Sequence, residues 1–342
     1  MILSGTTSSA LTTFAGLGLA LILEGAGAER LRLGWTEATE PQMVVTASGY
    51  DDDAVAAAVL QHARVSAQAD SWVSADLEAP PWKGKGAVFS PRIKKAGTPQ
   101  EWASLQKARH EGIDRLVSGG RWGADIDLLG ALGEPAYWPV RRNEVRPDEG
   151  ASRWEMKTRN RGEEFVGNRL RHLARIVAER SPEQVRDGLV GRSVVDEAYK
   201  GKRSDESRTS TGLTGPRFTD SALAWCALWG ISAFPVVHRV GRVSVTAAAF
   251  PVGSYTPKQL VLPMLVGGYS LARWRAVLVS RQLHEAVESS GVDVLKAERW
   301  LWDRGVRALA AHAVLVGGSA SAPERSLGEC CELKVLAALG EG

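Results

Sequence analysis

Lys83, Lys85, Arg92, Lys94 and Lys95 fall in one short stretch, interleaved with Trp82 and Phe89. Cations neutralise phosphates and aromatic faces stack on unpaired bases, so this combination suits a loop that contacts a nucleic-acid backbone. Arg141, Arg142 and Arg146 form a second basic region. Arg161, Arg169 and Arg175 belong to a third, together with Arg171 and Arg180. Further on, Arg273-Trp274-Arg275 with Arg281, and Arg299 to Arg307 around Trp300 and Trp302, repeat the pairing of cation and aromatic ring. The competing reading of each cluster is a solvated helix face whose cationic stems cover apolar surface while its tryptophans pack inward. Net charge is only +3, so any anionic partner must be met by local clusters rather than by the field of the whole chain.

Residue patterns for catalysis are weaker. The chain carries no G-x-x-x-x-G-K-[ST] loop, no H-E-x-x-H and no G-x-S-x-G elbow. Gly16-Leu17-Gly18 opens like a dinucleotide fingerprint, but it lies inside an apolar run, and Leu21 stands where the third glycine belongs. His62, His110, His172, His238, His284 and His312 are scattered, with no His or Cys partner at i+4. Asp51-Asp52-Asp53 can be read as a cation site or as carboxylates favouring a helix N-terminus, and the second reading is simpler. Cys226, Cys330 and Cys331 lack the C-x-x-C spacing of zinc and redox sites, which fits a reducing compartment. No cofactor, no metal and no catalytic residue are expected. The alternatives are an enzyme using Asp51 to Asp53 or His238, and a structural subunit that touches only protein.

The elements that position these groups follow from periodicity. Ala10 to Leu23 is apolar for 14 residues, short of the roughly 20 a membrane span needs and without a basic flank, so it reads as a buried helix of a cytoplasmic protein. Strands follow at Leu31 to Trp35 and Met43 to Ala47, then a helix from Asp51 to Arg64. Residues 75 to 97 and 118 to 152 look irregular. Between them, Thr98-Pro99-Gln100-Glu101 is a capping box for a helix to about Leu116, and Ser181-Pro182-Glu183-Gln184 is a second. Glu163 to Glu179 is an amphipathic helix with Val166, Leu170, Leu173 and Val177 on one face. Lys200 to Thr214 reads as an exposed polar loop.

Asp220 to Gly230 is an apolar helix running into a strand at Ile231 to Val237, and Val243 to Phe250 alternates toward another strand. Thr256-Pro257-Lys258-Gln259 reads as a helix start, interrupted by Pro263. Ala272 to Ser289 and Val292 to Val314 read as helices. The expected fold is α+β: mixed helices and short sheets with a mainly helical C-terminal part. It divides into an N-terminal α+β domain with basic loops at 1–150 and a second domain at 151–342.

Two regions resemble subunits of type I-G (formerly I-U) CRISPR interference complexes of the actinobacterial kind. One is SSALTTFAGLGLALIL with RLRLGWTE and PQMVV. The other is RNRGEEFVGNRLRHLARIVAER followed by SALAWCALWGISAFPVV. They cover about a third of the chain and look like the large-subunit-like proteins of that family. The resemblance implies a non-catalytic subunit of an RNA-guided DNA-surveillance complex (Cascade). Its partners would be other Cascade subunits, CRISPR RNA and target double-stranded DNA. In such complexes the guide supplies sequence recognition while protein reads a short duplex and its backbone.

Overall fold

The computed structural model describes residues 1–76, 87–91, 98–120, 123–134, 140–141, 144–145, 150–156, 165–198, 209–239, 242–319 and 322–337. In chain order the first half contains α1 (Ala10–Gly25), β1 (Glu29–Trp35), β2 (Met43–Ser48), α2 (Asp52–Ala67), α3 (Pro99–Ser118), α4 (Ala124–Leu132), β3 (Val140–Arg141) and β4 (Glu144–Val145). A π-helical turn (Val166–Leu170) leads into α5 (Arg171–Ala178), α6 (Pro182–Val190) and α7 (Ser221–Gly230). Then follow β5 (Val236–Arg239), β6 (Arg242–Thr246), β7 (Ala249–Phe250), β8 (Gln259–Leu265), α8 (Leu271–Leu278), α9 (Arg281–Glu288), α10 (Val292–Trp302), β9 (Val306–Ser319) and β10 (Ala322–Val335).

The core is built on α1 and α7. Both are uncharged over most of their surface, and a helix apolar all round must be covered all round. α7 is buried at every position, and α1 from Ala10 to Leu23. Their backbones touch through glycine. A Cβ on Gly18 would lie 1.8 Å from the Cys226 carbonyl oxygen, and one on Gly230 would lie 1.9 Å from that of Phe14. Gly16-Leu17-Gly18 is therefore a packing device, with Gly16 making room for the Met43 side chain. Trp225 and Trp229 sit in an aromatic cluster with His62, and Trp229 also meets Trp72, which meets Phe89 edge-on. Asp220 caps α7 by accepting from the Ala222 and Leu223 amides.

The N-terminal elements follow the sequence closely. β1 and β2 pair antiparallel, with Trp35 opposite Met43. Asp51 caps α2, and both capping boxes form, at Thr98–Glu101 and at Ser181–Gln184. The stretch 118–152, expected to be irregular, contains α4. The predicted strand at Ile231 begins instead as a 3-10 turn over Ile231–Ala233.

The expectation of a mainly helical C-terminal part is overturned. A four-stranded antiparallel sheet in the order β10-β9-β8-β7 dominates that region, and β9 and β10 are each 14 residues long. The run Val306 to Val314 is rich in Ala, Leu and Val, which helix and buried strand both accept. Its place between β8 and β10 decides for strand. Thr256-Pro257-Lys258-Gln259 leads into β8 rather than a helix. Pro263 is tolerated there because of its parity. Val261 donates to Ala248 on the β7 side, so the missing N–H two residues later faces the same side, beyond the end of β7. The helix expected at 272–289 breaks into α8 and α9, with Ser280 accepting from the Leu283 amide as the new cap.

Candidate nucleic-acid interface

Three arginines are held on aromatic rings where β1, the β8–α8 turn and the α10–β9 turn meet, an arginine–aromatic edge. In β1 the side chains alternate, so Leu31, Leu33 and Trp35 face the core and Arg32 faces out. After β8 the chain turns through Gly267, at φ +105°, and Gly268, then Tyr269. Ser270 caps α8 by accepting from the Arg273 amide. α8 buries Leu271, Trp274, Val277 and Leu278 and leaves Arg273 exposed, with its guanidinium 4.7 Å from the Tyr269 ring centre.

Tyr269 is seated against Gly305, where an added Cβ would lie 2.2 Å from its hydroxyl oxygen. At that same turn the Arg304 guanidinium lies 3.5 Å from the Trp300 ring centre and donates to the Trp300 carbonyl at 3.2 Å. Arg307 lies 3.9 Å from the Trp302 ring centre and donates to the Trp302 carbonyl at 2.8 Å. Arg32 packs its stem near Gly268. None of Arg32, Arg273, Arg304 and Arg307 forms an ion pair with a carboxylate among the described residues. A guanidinium lying on an indole keeps its full charge and presents fixed N–H donors, which is the form that suits phosphate oxygens.

Other predicted cations are placed differently. Arg275 is paired with Asp127 at 2.6 Å and ties α8 to α4. Arg169 donates to the carbonyls of Glu155 and Thr211 and holds the chain around Met156. Arg175 is exposed on α5 with no partner among the described residues. Arg141 lies in β3, in a two-stranded ribbon with β4. Lys83, Lys85, Arg92, Lys94, Lys95, Arg142, Arg146, Arg161 and most of the polar loop at 200–214 lie outside the described residues. The residues on either side of the first basic stretch are held in place. Asp76 bridges Ala87, and Arg171 of α5 donates to the Val73 carbonyl and to Asp76, each at 2.9 Å. Sequence reasoning missed Arg32 and Tyr269. The alternation R-L-R-L-G-W was the signal that marks the first. Nothing local marks the second, because Gly305 that seats it is 36 residues away.

The groups an enzyme reading would use have structural occupations. Asp51 accepts from the Ala54 amide, Asp52 lies 3.3 Å from the Met1 amine, and Asp53 pairs with Arg186. His238 and Ser244 are neighbours across the β5–β6 hairpin, 3.2 Å apart, and burial holds the imidazole below its ordinary value. Burial likewise pushes the Cys226 thiol far above the range in which it would ionise. Among the described residues no three His, Cys, Asp or Glu side chains gather to hold a metal, and no helix is long and apolar enough to cross a membrane. Comparison with known proteins finds no matching family model, no matching curated protein and no matching solved structure.

Proposed function

We propose that this chain is a non-catalytic, nucleic-acid-contacting protein, and that its arginine–aromatic edge is a backbone-contacting surface. The observation that carries this reading is the set of Arg273, Arg304 and Arg307, each held on an aromatic ring with no carboxylate partner among the described residues. The resemblance of the apolar helices to type I-G CRISPR subunits supports a larger role. In that role the protein is a cytoplasmic subunit of an RNA-guided complex, meeting other Cascade subunits, CRISPR RNA and target DNA. The basic stretch Lys83 to Lys95 would extend the same kind of contact.

The test is fluorescence anisotropy with labelled single-stranded RNA, single-stranded DNA and duplex DNA over a range of salt. Removing one true phosphate-binding cation should reduce the slope of log K against log salt by roughly one and weaken binding across sequences. Replacing Arg273, Arg304 and Arg307 together by Ala should lower the slope by about two to three. Unaltered binding by that variant, in the protein alone or in an assembled complex, removes the assignment. Absence of nucleic-acid binding even at low salt, with the tryptophans at a subunit contact, would favour a purely protein-binding subunit.

A further inference from the structure

Beside the arginine–aromatic edge lies a groove of about 410 Å³, on the solvent face of the β1–β2 ribbon and walled by Val266, Gly267 and Gly268. Its volume is within the ~300–1,000 Å³ of sites that hold small molecules. Its wall lies close against β1 because Gly34 carries no side chain, and the Gly267 carbonyl fills that space. A Cβ there would lie 1.7 Å from the Gly267 carbonyl oxygen, so glycine is what lets the end of β8 reach the ribbon. Arg32 stands opposite Thr46 at one end, and Thr36 and Glu37 stand at the other. Four residues of strand separate Arg32 from Thr36, roughly 13 Å at strand rise. Arg32 and Glu37 are exposed, and neither has an ion-pair partner among the described residues.

A cation at one end of a groove and a carboxylate at the other select a ligand that is anionic at one end and a hydrogen-bond donor at the other. Phosphate meets the first requirement. A sugar hydroxyl meets the second, because an ionised carboxylate can only accept. Carboxylates bind ribose 2′-hydroxyls in this way in dinucleotide sites, and the 2′-hydroxyl is the group by which a protein distinguishes RNA from DNA.

We infer that this groove takes a two-nucleotide step of an unpaired single strand lying along the arginine–aromatic edge, with one phosphate at Arg32 and a ribose 2′-hydroxyl further along the strand donating to Glu37. This rests on the nucleic-acid reading above and narrows it to RNA.

The experiment compares an oligoribonucleotide and an oligodeoxyribonucleotide of the same unstructured sequence on the full chain, with Glu37→Gln and Arg32→Ala variants whose melting temperatures are measured alongside. Glu37 and Arg32 are surface residues, so both variants should fold. One charge-assisted hydrogen bond corresponds to about tenfold in affinity. RNA should therefore bind about tenfold tighter than DNA. Glu37→Gln should bring the ratio near one while moving DNA affinity less than about twofold, and Arg32→Ala should weaken both strands. Equal binding of RNA and DNA by the unaltered protein overturns the groove assignment and leaves the broader reading standing, as does an RNA preference that survives Glu37→Gln. Failure of both strands to bind overturns the two together.

Discussion

Arginines serve two different purposes in this molecule, and the regions around α6–α7 and around α8–α10 show the contrast. Arg180 is almost fully buried. It grips Glu197 with two bonds of 2.8 and 2.6 Å, donates to Asp220 at 2.9 Å and also reaches the Val195 carbonyl. Asp220 in turn caps α7, and Ser221 donates to Glu197. Every charge in that network has a partner, so it ties Val195 and Glu197 to the start of α7 and leaves nothing for a ligand. Arg273, Arg304 and Arg307 carry the same charge but lie on rings, with no counter-ion among the described residues. A residue's availability to a ligand is thus set by what the fold brings beside it, and the count of arginines in a segment says little about it.

Removing the buried member should have the largest effect. Arg180→Met leaves Asp220 and Glu197 uncompensated and should cost about 3–5 kcal/mol, read as a fall in the urea midpoint. If the loss were under about 1 kcal/mol, the distinction between structural and working arginines would collapse. Acid should act on the same network. Burial raises the Glu197 carboxyl, but hydrogen bonds from Arg180 and Ser221 outweigh it, so the group lies below the ordinary carboxylate value. A carboxyl depressed on folding contributes stability above its unfolded value of about 4.5, and loses it as pH falls through the folded value. Urea midpoints should therefore decline across that window in the unaltered protein, with a flatter contribution from this group in Arg180→Met.

His312 extends the comparison to a milder acid range. It is buried, its Nδ1 is 3.2 Å from the Gly328 carbonyl, and burial holds it below its ordinary value. The neutral ring is favoured on folding, so stability present above about pH 6.5 should fall as pH drops, and His312→Gln should blunt that fall. At the edge the effects on stability should be small. Arg304→Ala should cost about 0.5–1 kcal/mol, the worth of a surface cation on an indole, while its effect on binding is read separately by anisotropy. Smallest of all, Arg281→Ala removes an i,i+4 pair with Glu285 on an exposed helix face and should change the stability by no more than about 0.3–0.5 kcal/mol, read from the melting midpoint.

The legible parts of the fold were those written in local chemistry. Thr98 and Ser181 announce their helices through capping boxes, and the alternation of β1 shows which side chains face out. The C-terminal sheet was not legible, because Ala308 to Val314 satisfies a helix and a strand equally, and only the flanking strands β8 and β10 choose. Pro263 misled for a related reason: its missing N–H matters only if a neighbour waits on that side. For the candidate site, the basic–aromatic pairings at 273–275 and 299–307 were visible. Their fates were not, since Asp127 takes Arg275 from across the fold and Trp274 turns inward to donate to the Leu33 carbonyl.

The glycine contact between α1 and α7 also governs when this protein can fold. About two hundred residues separate the two helices in the chain, and at roughly 5–20 residues added per second α1 would leave the ribosome some 10–40 s before its partner. Throughout that interval an apolar helix lacks its main cover. Nascent chains should therefore be a substrate for chaperones that hold apolar segments. A silent change that slows translation between α1 and α7 should lower the yield of soluble protein without altering a single side chain.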